Sequence, residues 1–199
     1  MRSSDIDLLK TFKECLSIQN DICETHNNGF AKKPSYRIQF GNVQFYRWLL
    51  TIGLFPAKTY TVGEISVPDL YFRDFLREHL DGDGTVLTYI DEHNKYKGRG
   101  YSNLRVMMYF ISASQSHIKW LHKRIQYVID VKGSLNCREA KNPSYAPMWR
   151  IKFSKKESLK LLQWMYYQPN LPCLERKKKL VLKIFNLIAN EERKIYTLA

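Results

Sequence analysis

The chain has 199 residues, of which 44% are hydrophobic and 14% aromatic, and this length and composition exclude a short disulfide-stapled peptide and a disordered basic tail. Lysine and arginine number 32 against 19 aspartates and glutamates, which gives a net charge of +13 and a pI of about 9.6. A folded chain with this charge indicates a polyanionic partner, nucleic acid before an acidic membrane surface. The cysteines have no C-x-x-C spacing and no apolar run is long enough to cross a bilayer, so the sequence predicts no zinc site, disulfide framework, signal peptide or membrane span.

The first part of the chain is predicted to form a helix, a hairpin and a second helix. Apolar side chains at helical spacing predict the first helix, and they are Leu9, Phe12 and Leu16. Residues 36–40 alternate between apolar and polar side chains, which predicts a strand with Arg37 and Gln39 on its polar face. An apolar helical pattern over residues 43–52 predicts the second helix.

Residues 69–111 are predicted to form a helix and a hairpin. Asp69 is placed to cap the start of the helix, and the glycines of residues 81–84 are expected to end it. Alternating patterns over residues 85–91 and 104–110 predict two strands. The charged loop between these strands contains Lys95, Lys97, Gly98, Arg99 and Gly100.

The rest of the chain repeats the pattern of the first part. Ile118, Leu121 and Ile125 match the first helix, residues 149–153 match the strand at 36–40, and residues 157–167 match the helix at 43–52. A Pro-Ser-Tyr sequence precedes each strand, and a basic helix is predicted over residues 174–193. The first copy has no equivalent of residues 69–111, so the repeat is incomplete.

The remaining residues of interest are the histidines and three large aromatic residues. The five histidines show no metal-ligand spacing, and His117 and His122 are predicted to lie on the surface of a helix. Trp164, Tyr166 and Tyr167 are predicted to lie in the core.

Residues 76–84 read Leu-Arg-Glu-His-Leu-Asp-Gly-Asp-Gly, and this segment resembles the LAGLIDADG motif. Together with the repeat, the motif makes nearly the whole chain similar to the LAGLIDADG homing endonucleases. The resemblance implies an α+β fold in which an αββαββα unit is duplicated and the first repeat is N-terminally incomplete. Residues 1–68 would form this incomplete repeat, and residues 69–199 the complete second repeat with a C-terminal basic helix.

The resemblance also implies an active site at the end of the motif helix. It assigns Asp83 and Gly84 to the metal, with Gly84 giving the chain a sharp exit, and the metal is Mg²⁺ or Mn²⁺ because hard cations prefer oxygen ligands. Lys177 and Lys58 are assigned as the catalytic lysines of the two halves. The interface of the motif helix is expected to contain Leu76, Leu80, Asp81 and Gly82.

The polar faces of the predicted strands indicate contacts with double-stranded DNA. Arginine and lysine bond to guanine edges, and asparagine and glutamine to adenine edges, which suits a sheet in the major groove. The residues predicted to bind DNA are Arg37, Gln39, Tyr89, Asp91, Asn103, Arg105, Ser134, Asn136, Arg138, Arg150, Lys152 and Lys178.

Each of these patterns has a structural alternative. The Asp-Gly-Asp-Gly segment also fits a polar turn between a helix and a strand. The polar strand faces also fit an ordinary solvated sheet, and Lys177 also fits a solvated helix that contacts phosphates.

The chain departs from the family pattern in two ways. Arg77 and Glu78, followed by His79, occupy positions where the family motif carries small residues. Glu78, where glycine is expected, would obstruct the close packing of a second motif helix or leave a buried charge unpaired. The chain also has one motif acid where cleavage of both strands needs two. Three explanations stay open: a segment upstream of residue 1 supplies the second motif, a second chain supplies it in a homodimer, or the protein binds DNA without cutting it.

The sequence therefore predicts a sequence-specific homing endonuclease that hydrolyses phosphodiester bonds at a long DNA target and is encoded in a mobile intron. The alternative is a non-catalytic DNA- or RNA-binding protein on the same scaffold, namely a degenerate endonuclease, a maturase or a regulator. Unpaired cysteines without a signal peptide predict a cytoplasmic, intracellular location, in a nucleoid or an organellar DNA compartment.

Overall fold

The computed structural model of the chain describes residues 1–25, 34–96, 99–139 and 146–197. Its elements are, in chain order, β1 (Arg2–Ser3), α1 (Ile6–Cys15), β2 (Ile22–Thr25), β3 (Ser35–Ile38), α2 (Val43–Thr51), α3 (Asp69–Asp83), β4 (Thr85–Tyr96), β5 (Arg99–Ser112), α4 (Gln115–Ile129), β6 (Ser134–Arg138), β7 (Met148–Phe153), α5 (Lys155–Met165) and α6 (Glu175–Thr197). A single 3-10 turn, Lys58–Tyr60, lies between α2 and α3. The predicted loop residues Lys97 and Gly98 and the second Pro-Ser-Tyr sequence lie outside the described residues.

The larger sheet has four antiparallel strands in the order β4-β5-β7-β6. One face of this sheet packs against the helices and forms the main core, which includes Phe72 of α3, Phe110 of β5, Leu121 of α4, Leu161 of α5 and Ile184 of α6, all with no exposed surface. The order from α3 to α5 is αββαββα, which confirms the α+β fold class. The opposite face of the sheet carries no helix layer in the described part of the chain.

The smaller sheet has the order β1-β3-β2 and supports a much smaller core. Only Leu9, Ile18 and Ile38 are buried in it. No residue of α2 is buried, and Trp48 and Leu50 of this helix are 53% and 42% exposed. The first part of the chain therefore has apolar surface that the described residues leave uncovered. None of the described helices is both long and apolar enough to cross a membrane.

The structure corrects the predicted start of α3 and places its end within the predicted residues 81–84. Pro68 precedes α3 at the cap position and Asp69 is already helical, with its carboxylate paired to Arg124 instead of capping the helix. Helix α3 also continues through Gly82 and ends after Asp83, because the Gly84 N–H still bonds to the Leu80 carbonyl oxygen at 3.0 Å. One glycine weakens a helix without breaking it.

The structure also corrects two predicted burial assignments. His117 is only 4% exposed, because it precedes Leu121 and Ile125 by one and two helical turns on the apolar face of α4. Tyr167 lies beyond the end of α5 and is 38% exposed, with the Arg73 guanidinium 3.6 Å from its ring centre. Trp164 and Tyr166 pack against the main core, as predicted.

Candidate functional site

The carboxylate of Asp83 lies exposed at the end of α3, and the chain turns from this residue directly into β4. Gly84 makes the turn possible. A Cβ atom there would lie 2.6 Å from Leu80 Cδ1 and 2.7 Å from Leu80 Cα, which is closer than real side chains approach. The predicted sharp exit at Gly84 is therefore a steric requirement of the fold.

Lys177 lies directly beneath this turn and is only 7% exposed. Its ammonium donates hydrogen bonds to three carbonyl oxygens, those of Leu80, Asp81 at 2.9 Å and Gly84 at 2.8 Å. The Asp81 carboxylate in turn accepts a hydrogen bond from the Leu174 N–H at 2.6 Å. The predicted catalytic lysine is thus next to Asp83 in the sequence-predicted site, but its ammonium faces the backbone.

A cavity of about 400 Å³ brings Asp83 and Lys58 together. It is also lined by Glu78, His79 and Gly82 of α3. The segment that follows Lys58 is fixed to α4, since Ser116 Oγ donates to the Val62 carbonyl oxygen at 2.9 Å and His117 Nδ1 bonds to that of Gly63 at 2.9 Å. These bonds hold the turn with Lys58 beside the end of α3.

His79 and His117 form a stacked pair behind the cavity, and sequence reasoning did not predict this pair. Their rings are 5.3 Å apart at an angle of 7°, and their Nε2 atoms are 3.1 Å apart. Burial, with the neighbouring His117, lowers the pKa of His79 to about 4, and burial also lowers the pKa of His117. Both rings are therefore neutral at pH 7, and because His117 Nδ1–H donates to Gly63, His79 Nε2–H is the donor between them.

Arg77 and Glu78, the two bulky departures from the motif, differ in exposure, and Arg77 Nη2 lies 3.7 Å from Glu78 Oε1. The Arg77 guanidinium is 2% exposed and donates to the Pro172 carbonyl oxygen at 2.9 Å and to Asp74 Oδ1 at 2.7 Å. Glu78 is 44% exposed, and partial burial, followed by the nearby Asp81 carboxylate, raises its pKa to about 7. Arg77 therefore anchors α3 to the segment before α6, whereas Glu78 is exposed.

A second cavity of about 560 Å³ lies on the other side of Glu78. Its walls are mostly apolar and come from α1 and α2 on one side and from α3 and the segment after α5 on the other. The lining residues include Leu8, Phe12, Trp48, Arg77 and Leu171. Because Glu78 lines both cavities, we call the two together the α3 trough.

Gly82 lies on the trough side of α3 with nothing within 4 Å of the position of a Cβ atom. A glycine inside a helix costs stability relative to alanine. No contact made by the described residues explains why a glycine occupies this position.

The polar side chains of the larger sheet lie in register on the face without helices. Asn103 pairs with Asp91, Arg105 with Tyr89, Asn136 with Arg150, and Ser134 with Lys152. Directly opposite residues share a face, so these polar side chains lie on one face of the sheet, together with the apolar Leu87, Met107 and Ile111. Arg138 lies on the same face at the end of β6, and Tyr109 and Ile111 of β5 join the two halves through Lys152 and Arg150.

Two arginines on this surface differ in their surroundings. Arg105 is held by Asp91, with Nε 3.0 Å from Oδ2. The Arg150 guanidinium lies 5.5 Å from the Tyr109 ring centre, and its buried Nε has no hydrogen-bond partner among the described residues. Outside this sheet, Arg37 and Gln39 are exposed at the smaller sheet, and Lys178 Nζ donates to the Pro169 carbonyl oxygen at 2.6 Å.

Within the part of the chain that the structure describes, no three His, Cys, Asp or Glu residues are grouped to hold a metal ion. The exposed Asp83 carboxylate is a hard oxygen donor of the kind that binds Mg²⁺ together with substrate phosphates. The Gly84 carbonyl, in contrast, already accepts from Lys177. The residues present thus fit a divalent cation through Asp83, with Gly84 serving the turn.

Comparison with known proteins identifies the fold. No protein-family model matches the sequence, and no curated protein matches it. Among solved structures, the meganuclease I-SmaMI bound to uncleavable DNA superposes with a TM-score of 0.58 and 11% identity, over 96% of this chain and 79% of that one. The LAGLIDADG meganuclease I-AabMI bound to uncleaved DNA gives a TM-score of 0.55 and 14% identity, over 96% of this chain and 81% of that one.

The architecture is that of a duplicated α+β protein with helices on one side of its larger sheet. More particularly, the chain has the LAGLIDADG homing endonuclease fold, and the resemblance read from residues 76–84 is confirmed at the level of the fold.

Proposed function

We propose that the protein is a LAGLIDADG-type DNA endonuclease that hydrolyses phosphodiester bonds with Mg²⁺ or Mn²⁺ at a long specific target. The observation that carries the proposal is the position of Asp83, exposed at the end of α3 in the same cavity as Lys58. DNA-bound proteins of the same fold and the net charge of +13 support double-stranded DNA as the partner.

The face of β4 to β7 that carries these polar side chains is proposed to lie in the major groove. Its arginine, lysine and asparagine side chains match the hydrogen-bonding groups of guanine and adenine edges. Arg150 is partly exposed on this surface with its guanidinium over the Tyr109 ring, and this guanidinium is proposed to contact a base or a phosphate oxygen. Asp91 holds Arg105 in a fixed orientation, which favours selective contacts.

Asp83 is proposed to hold the divalent cation. When bound, the cation supplies Lewis-acid polarisation of a phosphate oxygen and a water of lowered pKa. Lys58 is proposed to stabilise the charge that develops on the phosphate, because its ammonium lines the same cavity and is exposed.

The second acid is proposed to enter on a helix that occupies the α3 trough. The trough is lined by apolar residues of α1 and α2, Glu78 forms its floor, and Gly82 leaves the α3 backbone accessible. The helix would come from a second copy of the chain or from a segment preceding residue 1. Light scattering with and without DNA separates these sources, since a strict monomer in both conditions overturns the second copy.

A randomised duplex library tests the nuclease proposal. Wild-type protein with Mg²⁺ is expected to nick or cut a subset of the library, and Asp83→Asn is expected to abolish the cleavage. Asp130→Asn is the matched control, because Asp130 is fully exposed at the far end of α4. Specific binding by the wild type without cleavage at any Mg²⁺ or Mn²⁺ concentration would overturn the proposal.

That outcome would support the second candidate, a non-catalytic DNA- or RNA-binding protein. The observation that favours it is the single motif acid, together with the hydrogen bonds that commit Lys177 and the Gly84 carbonyl to each other. Either function requires a compartment that contains nucleic acid, which is the cytoplasm with its nucleoid or an organelle. A mobile intron is the proposed host of the gene.

A further inference from the structure

Helix α3 ends where α6 begins, and each helix end is bonded by a side chain of the other helix. The Asp81 carboxylate of α3 accepts from the N–H of Leu174, the residue that precedes α6. The Lys177 ammonium in the first turn of α6 donates to the carbonyl oxygens of Leu80, Asp81 and Gly84. The two contacts form a reciprocal cap.

Both contacts satisfy groups at the helix ends, although the Leu80 carbonyl oxygen also accepts from the Gly84 N–H. The last carbonyls of a helix have no intrahelical donor and carry partial negative charge, which favours a cation, and the first N–H groups favour an anion. A lysine fits the three carbonyls better than an arginine, because its three N–H donors diverge from one nitrogen.

The hydrogen bonds of Lys177 leave it no free donor. All three ammonium hydrogens have a backbone acceptor, and the side chain is 7% exposed. A group that acts on a phosphate or a water must reach it with a proton. Lys58, which is exposed beside Asp83, has that access.

We propose that Lys177 is a positioning residue, which with Asp81 fixes the end of α3 and thereby the carboxylate of Asp83. Asp83 lies between Asp81 and Gly84, and Lys177 holds the carbonyls of both. The role assigned to Asp83 rests on the proposed function, whereas the reciprocal cap does not.

The cap is tested first by NMR of the full chain with ¹⁵N-labelled lysine at neutral pH. A buried ammonium with three acceptors exchanges its hydrogens slowly and gives a signal that solvated ammonium groups lose. One such signal is expected in the wild type and in Lys179→Met, which removes an exposed charge from the same helix. It is expected to be absent in Lys177→Arg and Lys177→Met. A wild-type protein without a slowly exchanging Lys177 ammonium would overturn the cap.

Mn²⁺ binding tests the positioning role. Loss of a nearby positive charge alone would strengthen cation binding, whereas loss of the groups that orient a ligand weakens it, by about tenfold or more. We expect Lys177→Met and Lys177→Arg to weaken Mn²⁺ binding, and Lys179→Met to leave it unchanged. Equal or tighter binding by both Lys177 variants contradicts the positioning role.

The two proposals fail separately. If Asp83→Asn leaves Mn²⁺ binding unchanged, the metal role of Asp83 is wrong, and the lysine signal still reports on the cap. If the Lys177→Arg variant cleaves the DNA library as fully as the wild type, the charge of residue 177 matters more than its hydrogen-bond geometry and the positioning role is overturned.

Discussion

At the scale of single residues, the end of α3 depends on Gly84, which has no side chain. Gly84 is buried, and a Cβ atom at this position would meet Leu80 at 2.6 to 2.8 Å through its Cδ1, Cα and carbonyl oxygen. Two of these three atoms belong to the backbone, so no rotamer change relieves the overlap.

Gly84→Ala is therefore expected to destabilise the fold by about 1–3 kcal/mol, the usual range for overpacking. Urea unfolding followed by circular dichroism measures the change. Gly41→Ala is the control, because nothing lies within 4 Å of a Cβ atom there. A Gly84→Ala variant as stable as Gly41→Ala would contradict the steric account of the turn.

The histidine pair makes the stability dependent on pH. The pKa of His79 is lowered from 6.5 to about 4 in the folded state, mainly by burial. Between these values the unfolded chain binds a proton that the folded chain does not bind. The contribution of His79 to the free energy of unfolding should therefore decrease as the pH falls from about 6.5 towards 4, by up to ~1.4 kcal/mol per pH unit. Glu78, whose pKa is raised to about 7 mainly by burial, contributes with the opposite sign over this range.

His79→Gln should lower the slope of the free energy of unfolding against pH in this range, because glutamine does not titrate and the contribution of Glu78 remains. Thermal unfolding at a series of pH values measures the slope. His122→Gln serves as the control, since His122 bonds to the Lys132 carbonyl oxygen away from the pair. An equal slope in the wild type and in His79→Gln would show that other groups cause the dependence.

At the scale of elements, α3 has one buried face and one face that the described chain leaves open. Phe72, Leu76 and Leu80 fill the core, whereas Glu78 and Gly82 face the trough. The glycine costs helix stability without a compensating contact among the described residues. A helix that approaches the α3 backbone closely would explain it.

Gly82→Ala separates the two effects. In the isolated chain it should stabilise the fold by about 0.5–1 kcal/mol, because alanine replaces glycine at an exposed position inside a helix. With DNA and Mg²⁺ it should reduce cleavage, since the added methyl group displaces the second helix. Increased stability with undiminished cleavage would place the second acid elsewhere.

Local sequence patterns predicted the helices and strands, whereas contacts between distant residues determine the hydrogen-bond partners of individual side chains. The alternation around Arg150 and Lys152 was sufficient to predict which face of the sheet is polar, because a strand has a fixed period. The burial of His117 follows from its helical spacing to Leu121, but its partner His79 is 38 residues away and no local signal identifies it.

The partners of Lys177 lie more than 90 residues away, so the sequence predicted its neighbourhood and not its hydrogen bonds. The division into repeats at residues 68 and 69 stays a prediction.

At the scale of the whole molecule, the larger sheet has one side that the helices cover and one side with exposed polar strand residues. The helices cover one face, and the polar surface with Arg150 occupies the other. Lys183 is exposed on α6, whose Val181 and Ile184 pack into the core on the helical side. The positively charged side chains of Arg150 and Lys183 therefore lie on different sides of the larger sheet.

DNA binding should weaken as salt is raised, because each phosphate contact releases counterions. Arg150→Ala is expected to weaken binding to duplex DNA. If the guanidinium contacts a phosphate, the slope of log K against log salt should also decrease by up to ~1. If it contacts a base, the variant should show a relaxed base preference. Fluorescence anisotropy over a salt series measures both. Lys183→Ala is the control, and equal effects of the two variants would argue against the sheet as the DNA surface.

The reciprocal cap also sets the order in which the protein can mature during synthesis. Asp81 leaves the ribosome 96 residues before Lys177, so its carbonyl oxygen lacks the ammonium donor until most of the chain has been translated. The helix, the sheet and most of the core can assemble earlier, since they lie between the two. The geometry at Asp83 is completed among the last steps, and a nascent chain that has not yet reached α6 carries the acid without the groups that hold it in place.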